Sequence, residues 1–167
     1  MRILGLIPLL VMAIVTLVTP AVTVAADPCR NPTIRATGAF TSGTKKNDII
    51  LGTRGGNTIW GNGGNDIICG GGGDDVIHGG NGADRLYGNG GRDSIYGDDG
   101  NPAGDGNDLI DGGADDDRLD GDEGSDRIFG RDGDDTLAGD GGANLLDGGA
   151  GTDICGSSGE QTLVACE

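Results

Sequence analysis

The chain has 167 residues, a formal net charge of −16, 37 glycines and 3% aromatic residues. That length fits one domain, but so much glycine excludes an ordinary packed core, and an unliganded chain this acidic and poor in aromatics tends to stay disordered. The acidity also excludes nucleic acid as a partner, since that needs basic patches against phosphate. Folding free energy must therefore come from something outside the chain.

Residues 1–26 read as a secretory signal peptide. Arg2 supplies the positive start, Ile3 to Val18 the apolar run, and Val24, Ala25 and Ala26 a small-residue site with cleavage after Ala26. A membrane anchor is the alternative, but the run is short for spanning and is followed by Pro20. No second apolar span follows. The expectation is a secreted, extracellular product with no stable membrane span after cleavage. Residues 27–42 carry Pro28, Pro32, Ile34 and Phe40 without periodicity, and are expected to form an N-terminal cap over an open strand edge.

From Gly43 to Gly156 the chain repeats every nine residues. GNGGNDIIC at Gly61 and GGGGDDVIH at Gly70 superimpose without a gap. Units begin at Gly43, Gly52, Gly61, Gly70, Gly79, Gly88, Ala103, Gly112, Gly121, Gly130, Gly139 and Gly148. The sixth position is Asp48, Asn57, Asp66, Asp75, Asp84, Asp93, Asp108, Asp117, Asp126, Asp135, Asn144 and Asp153 in turn. The eighth is aliphatic in every unit but the last, where Cys155 stands. One aliphatic in nine excludes an amphipathic helix, whose apolar stripe returns every three or four residues. The Gly/Asn/Asp-rich six residues are expected to turn, and the last three to alternate out, in, out along a strand. Two units make one coil, and stacked coils give two parallel sheets with the eighth-position aliphatics between them.

Twelve units in this register resemble the calcium-binding nonapeptide of the RTX, or hemolysin-type, repeat family. The resemblance implies an all-β fold: a right-handed parallel β-roll (β-solenoid) with two strands per coil, capped at both ends. It also implies Ca2+ held between turns of successive coils by glycine-turn carbonyls and sixth-position carboxylates. Carried over, the candidate metal ligands are Asp48, Asp66, Asp84, Asp108 and Asp126 in one column, and Asp75, Asp93, Asp117, Asp135 and Asp153 in the other. Asn57 and Asn144 remove a charge, and Lys46 and Asp115 replace the fourth-position glycine, so those sites are expected to be weaker. Hard calcium prefers six to eight oxygens, which suits open turns beside carboxylates. About ten inter-turn pairs are possible, and roughly six to eight well-occupied ions are expected.

Residues 97–102 interrupt the register. A tolerated surface bulge is one reading, and an acidic loop (Asp98, Asp99) binding its own ion or partner is the other. Residues 157–167 are expected to cap the C-terminal end, with Leu163 and Val164 over the last turn. Four cysteines in an exported chain give two disulfides. Their positions point to Cys29–Cys69 and Cys155–Cys166, each tying an end segment to the repeat body. A metal site on these cysteines is disfavoured by the lack of CxxC and of a suitably spaced histidine.

Trp60, His78 and Tyr96 are ninth residues of alternate units and should stack on one face, with Tyr87 and Phe129 on the other. They form either a stiffening cross-strand stack or a platform for sugar rings. HExxH, GxSxG and P-loop motifs are missing, and periodic carboxylates favour ion ligation, so the chain is not expected to be an enzyme. The functional expectation is a secreted calcium-binding module, folded by extracellular calcium, with a structural or adhesion-type role and a cell-surface or matrix glycan or protein as partner. The alternative is a carbohydrate-binding module using Trp60, His78 and Tyr96.

Overall fold

The structure, a computed structural model, describes residues 27–99, 106–156 and 160–166. Residues 1–26, expected to be a signal peptide, part of the interruption and part of the C-terminal segment lie outside the described residues. Among the described residues there is no helix. Numbered along the chain, the strands alternate between two sheets. One holds β1 (Ile34–Arg35), β3 (Ile49–Leu51), β5 (Ile67–Gly72), β7 (Arg85–Gly90), β9 (Leu109–Ala114), β11 (Arg127–Asp132), β13 (Ala143–Ala150) and β15 (Glu160–Val164). The other holds β2 (Phe40–Ser42), β4 (Thr58–Gly63), β6 (Val76–Asn81), β8 (Ser94–Tyr96), β10 (Arg118–Asp120), β12 (Thr136–Ala138) and β14 (Ile154–Cys155). Every strand pair is parallel and in register. The result is the expected β-solenoid, two parallel sheets with a thin core between them.

That core is the eighth-position ladder. Ile50, Ile59, Ile68, Ile77, Leu86, Ile95, Ile110, Leu119, Ile128, Leu137 and Leu146 are all buried and form one cluster, with Ile34 and Cys155 packed against its ends. Each aliphatic lies directly over its counterpart two units on, as Ile50↔Ile68↔Leu86↔Ile110. The N-terminal segment does more than cover an edge. Ile34 aligns with Ile50, and buried Thr41 aligns with Ile59, so β1 and β2 supply a further coil. At the other end Leu163 aligns with Leu146 but stays half exposed, closing the stack only in part.

Two expectations need correction. Several strands run past the third aliphatic-containing residue into the next glycine turn. Asn62 pairs with Gly80 and Gly63 with Asn81, although these positions were expected only to turn. Identical turns stacked in register let backbone groups bond from rung to rung, so the turn itself joins the sheet. The interruption also falls later than 97–102. The Gly97 amide donates to the Asp120 carbonyl as the Gly121 amide does to Ala138, which keeps Gly97 in register. Gly106 packs on the carbonyl of Gly82, as Gly124 packs on that of Gly106, which puts it at a fourth position. The additional residues therefore fall between Asp99 and Gly106, where the pairing step grows from 18 to 24 residues. Gly97, not Ala103, opens the unit containing Asp108. The reason is steric: a Cβ on Gly97 would lie 2.5 Å from both Asp108 Oδ2 and the Gly121 carbonyl oxygen.

Both expected disulfides are present. Cys29 bonds Cys69, with Cα atoms 6.3 Å apart, and Cys155 bonds Cys166 at 5.7 Å. Cys29 lies over Ile50, so Cys69 is buried where an uncovered ninth position would face outward. Because the core is a single file of aliphatics, one truncation should be felt by the whole stack. Leu86→Ala should lower the unfolding free energy by about 2–5 kcal/mol in calcium, measured by denaturant titration of the strand signal.

Candidate metal centre

In nine of the units the turn geometry is set by two left-handed residues. The second position has positive φ in Asn62, Gly71, Gly80, Asn89, Gly113, Asp122, Arg131, Asp140 and Gly149, and the fourth in Gly64 through Gly151, including Asp115. Gly, Asn and Asp tolerate this region. Arg131, at φ 87°, is the one bulky exception; its guanidinium pairs with Asp111 and lies over the Phe129 ring at 4.9 Å. With these two reversals the sixth-position side chain folds back under its own turn.

The structure brings the sixth positions into two continuous columns. The Asp66 Oδ1 accepts from the Asp48 amide at 2.8 Å, Asp84 from Asp66 at 2.7 Å, Asp108 from Asp84, Asp126 from Asp108, and Asn144 from Asp126. The second column runs Asn57, Asp75, Asp93, Asp117, Asp135, Asp153 in the same way. All of these residues are buried. Each carboxylate thus uses one oxygen to tie its rung to the one before.

The other oxygen is the chemical signature of the site. Among the described residues, Oδ2 of Asp66, Asp75, Asp84, Asp93, Asp117, Asp126, Asp135 and Asp153 is buried with no hydrogen-bond partner. Each is aimed at the first-position glycine of its own unit. A Cβ on Gly61 would come within 2.5 Å of Asp66 Oδ2 and 2.3 Å of the Gly79 carbonyl oxygen; on Gly79 it would meet Asp84 Oδ2 and the Gly97 carbonyl alike. So two acceptors face one small space, and a buried acceptor left unmatched is costly. Asn144 shows what the space wants. Its Nδ2 stands where the aspartates place Oδ2, and it donates to the carbonyls of Gly139 at 2.6 Å and Gly141 at 2.8 Å. A donor satisfies those carbonyls; a carboxylate oxygen in its place needs a cation. No group of three or more His, Cys, Asp or Glu side chains gathers among the described residues, so a cation here would have to draw its further oxygens from turn carbonyls or water. That all-oxygen set suits calcium.

The N-terminal end is different. Asp48 Oδ2 accepts from the amide and hydroxyl of Thr44 at 2.8 and 2.7 Å, and Asn57 Oδ1 accepts from the Thr53 amide and hydroxyl. A threonine at the second position thus satisfies the first two turns with protein donors.

Electrostatics agree with the geometry. Burial pushes the Asp84 carboxyl up to about 8 and those of Asp93, Asp117 and Asp126 up to about 7, against the lowering effect of the backbone hydrogen bond. Asp66 and Asp75 rise to about 6 for the same reason, and Asp135 is also raised. Neighbouring carboxylates in the column add to the rise.

A second ladder was not anticipated. Fifth-position side chains accept from the fifth-position amide one coil on: Asn47 from Asn65, Asn65 from Ala83, Asn107 from Ser125, Asp74 from Arg92, Asp116 from Asp134 and Asp134 from Thr152. It runs opposite to the sixth-position ladder. The signal was available, since Asn, Asp or Ser recurs at a position treated as free. On the outer face Trp60 stacks on His78 at 4.0 Å and His78 on Tyr96 at 4.9 Å, as expected. His78 spends both ring faces on its neighbours, and Trp60 and Tyr96 spend one each.

The family model described as RTX calcium-binding nonapeptide repeat (4 copies) matches residues 42–77, 70–101, 103–128 and 120–155. The chain belongs to this family, whose repeats bind calcium. Searches of curated proteins and of solved structures return no significant match to it.

Two outcomes follow from the orphaned oxygens. Raised carboxyl pKa values stabilise the metal-free fold below the unfolded carboxylate range, and that contribution is lost as pH rises through about 6 to 8. Calcium needs the ionised form, so its apparent affinity should fall steeply from pH 8 to pH 5 in isothermal titration. Asp84→Asn should mimic Asn144: calcium stoichiometry drops, while the chelated chain retains more strand signal than wild type. Asp84→Ala should lose calcium without that gain.

Proposed function

We propose that this chain is an exported module that stays unfolded at low calcium, folds on meeting extracellular calcium, and then acts as a structural or adhesion-type rod outside the cell. The observation that carries this reading is the set of buried, unpartnered carboxylate oxygens repeated rung after rung. Asp66, Asp75, Asp84, Asp93, Asp108, Asp117, Asp126, Asp135 and Asp153 hold the ions together with turn carbonyls, and Asp48, already served by Thr44, is the weakest of the ten. The bound ions neutralise repulsion between stacked carboxylates. An ion that binds the folded chain alone shifts the folding equilibrium by mass action. Six to eight ions would offset most of the acidic charge.

Export is supported by the signal-peptide pattern of residues 1–26 and by two disulfides, which persist in oxidising compartments. Among the described residues no helix is long and apolar enough to cross a membrane. Periodicity assigns the carboxylates to ion binding, which leaves no enzymatic role for them.

The test is far-UV circular dichroism of the oxidised chain lacking residues 1–26 during calcium titration and chelation. Strand signal should appear cooperatively near the range of extracellular modules, on the order of 10⁻⁴–10⁻³ M, and vanish with chelator. Equal strand content without calcium would remove the coupling.

A further inference from the structure

The third position of each unit points away from the core, and along one corner this column reads Lys45, Gly63, Asn81, Asp99. Gly63 has no side chain between Lys45 and Asn81, and the gap opens a hollow of about 450 Å³. Trp60 and Asn62 complete its wall. That volume is within the range of small-ligand sites, roughly 300–1,000 Å³. Asn81 contributes a second, independent observation. Its Oδ1 is buried and has no hydrogen-bond partner among the described residues, a state that native side chains rarely hold without a ligand or water.

The chemistry of the lining narrows the ligand. An indole offers contact to C–H surfaces. Asn62 Nδ2 already donates to Ser42 Oγ and the Gly43 carbonyl, both at 2.9 Å, so Asn62 offers its Oδ1 as an acceptor, and the Asn81 amide adds a donor and an acceptor for hydroxyls. Lys45 and Asp99 carry opposite charges, so the hollow selects neither a strong cation nor a strong anion. The acidic chain around it repels polyanions. We propose that this hollow binds a neutral hexopyranose residue of a surface or matrix polysaccharide, with the Trp60 indole and the Asn62 and Asn81 amides as its contacts. It is distinct from the Trp60–His78–Tyr96 ladder used as a platform, because stacking occupies the faces between those rings. The proposal deepens the adhesion reading by naming the partner, and rests on it only in needing a folded rod.

Trp60 is the single tryptophan, so its emission reports on the hollow alone. The experiment titrates the oxidised chain in millimolar calcium with cellotetraose, maltotetraose and mannotetraose, and with a tetra-uronate as the charged probe. At least one neutral probe should shift Trp60 emission saturably, and more tightly than the uronate. Gly63→Gln fills the gap; a Cβ there meets only ordinary contacts, 3.7 Å from the Asn81 carbonyl. It should weaken binding by about tenfold or more, as should Asn81→Leu, with the calcium-dependent strand signal unchanged. Silence of Trp60 toward every neutral probe, preference for the uronate, or unchanged affinity in both variants would overturn the site. A chain that folds without calcium contradicts the folding reading but is tested for sugar in the same way. A chain that folds in neither condition ends both.

Discussion

A carboxylate oxygen buried without a partner is the constraint on which this molecule turns. An isolated case would be removed by protonation or by a donor, and the chain places donors at its margins. Thr44 serves Asp48, and the Asn144 amide serves its own turn carbonyls. Between those margins no protein donor reaches the second oxygen, and burial raises the carboxyl pKa toward or past neutrality. Once ionised, such a column is self-repulsive, and a cation bound between the carboxylates would make it cohesive.

The rest of the architecture follows from holding that oxygen in place. The left-handed second and fourth positions turn the backbone so that the carboxylate reaches back beneath its own turn. The first-position glycine leaves a small space faced by its own carboxylate Oδ2 and by a glycine carbonyl one coil on, and a Cβ there would collide with both. The aliphatic file gives direction to the stack but little bulk, one side chain per nine residues. Two side-chain ladders running in opposite senses lock each rung against both neighbours, and the disulfides fasten the two end segments. Without metal, the ladders and the file would have to hold the fold against those unmatched acceptors.

The nonapeptide register carried most of this openly. Period, core positions, parallel sheets and the two aspartate columns follow from where Asp66, Ile68 and their equivalents recur, because a strict period leaves one way to stack. The disulfide pairing was legible because each cysteine had only one nearby end to fasten. Hidden were features that depend on neighbours in space. The extension of β4 and β6 through Gly63 and Asn81 arises only when turns stack. Ala103 occupied the right place by counting, yet a Cβ cannot stand there, so Gly97 takes it. The fifth-position ladder was visible as recurring Asn47, Asn65 and Asn107, but its chemistry needed the amide one coil away. Thr44 and Thr53 looked like ordinary turn residues until their donors were found on the sixth positions.

The family and the geometry meet at one point: its repeats bind calcium, and this backbone leaves rows of buried acceptors that a divalent cation would satisfy. Anomalous diffraction from a crystal grown in millimolar calcium tests it most directly. The account expects calcium peaks beside Oδ2 of Asp66, Asp84 and Asp93, and none of comparable height at Asn144. Peaks absent from the three aspartates, with their Oδ2 atoms turned to bulk water, would contradict it.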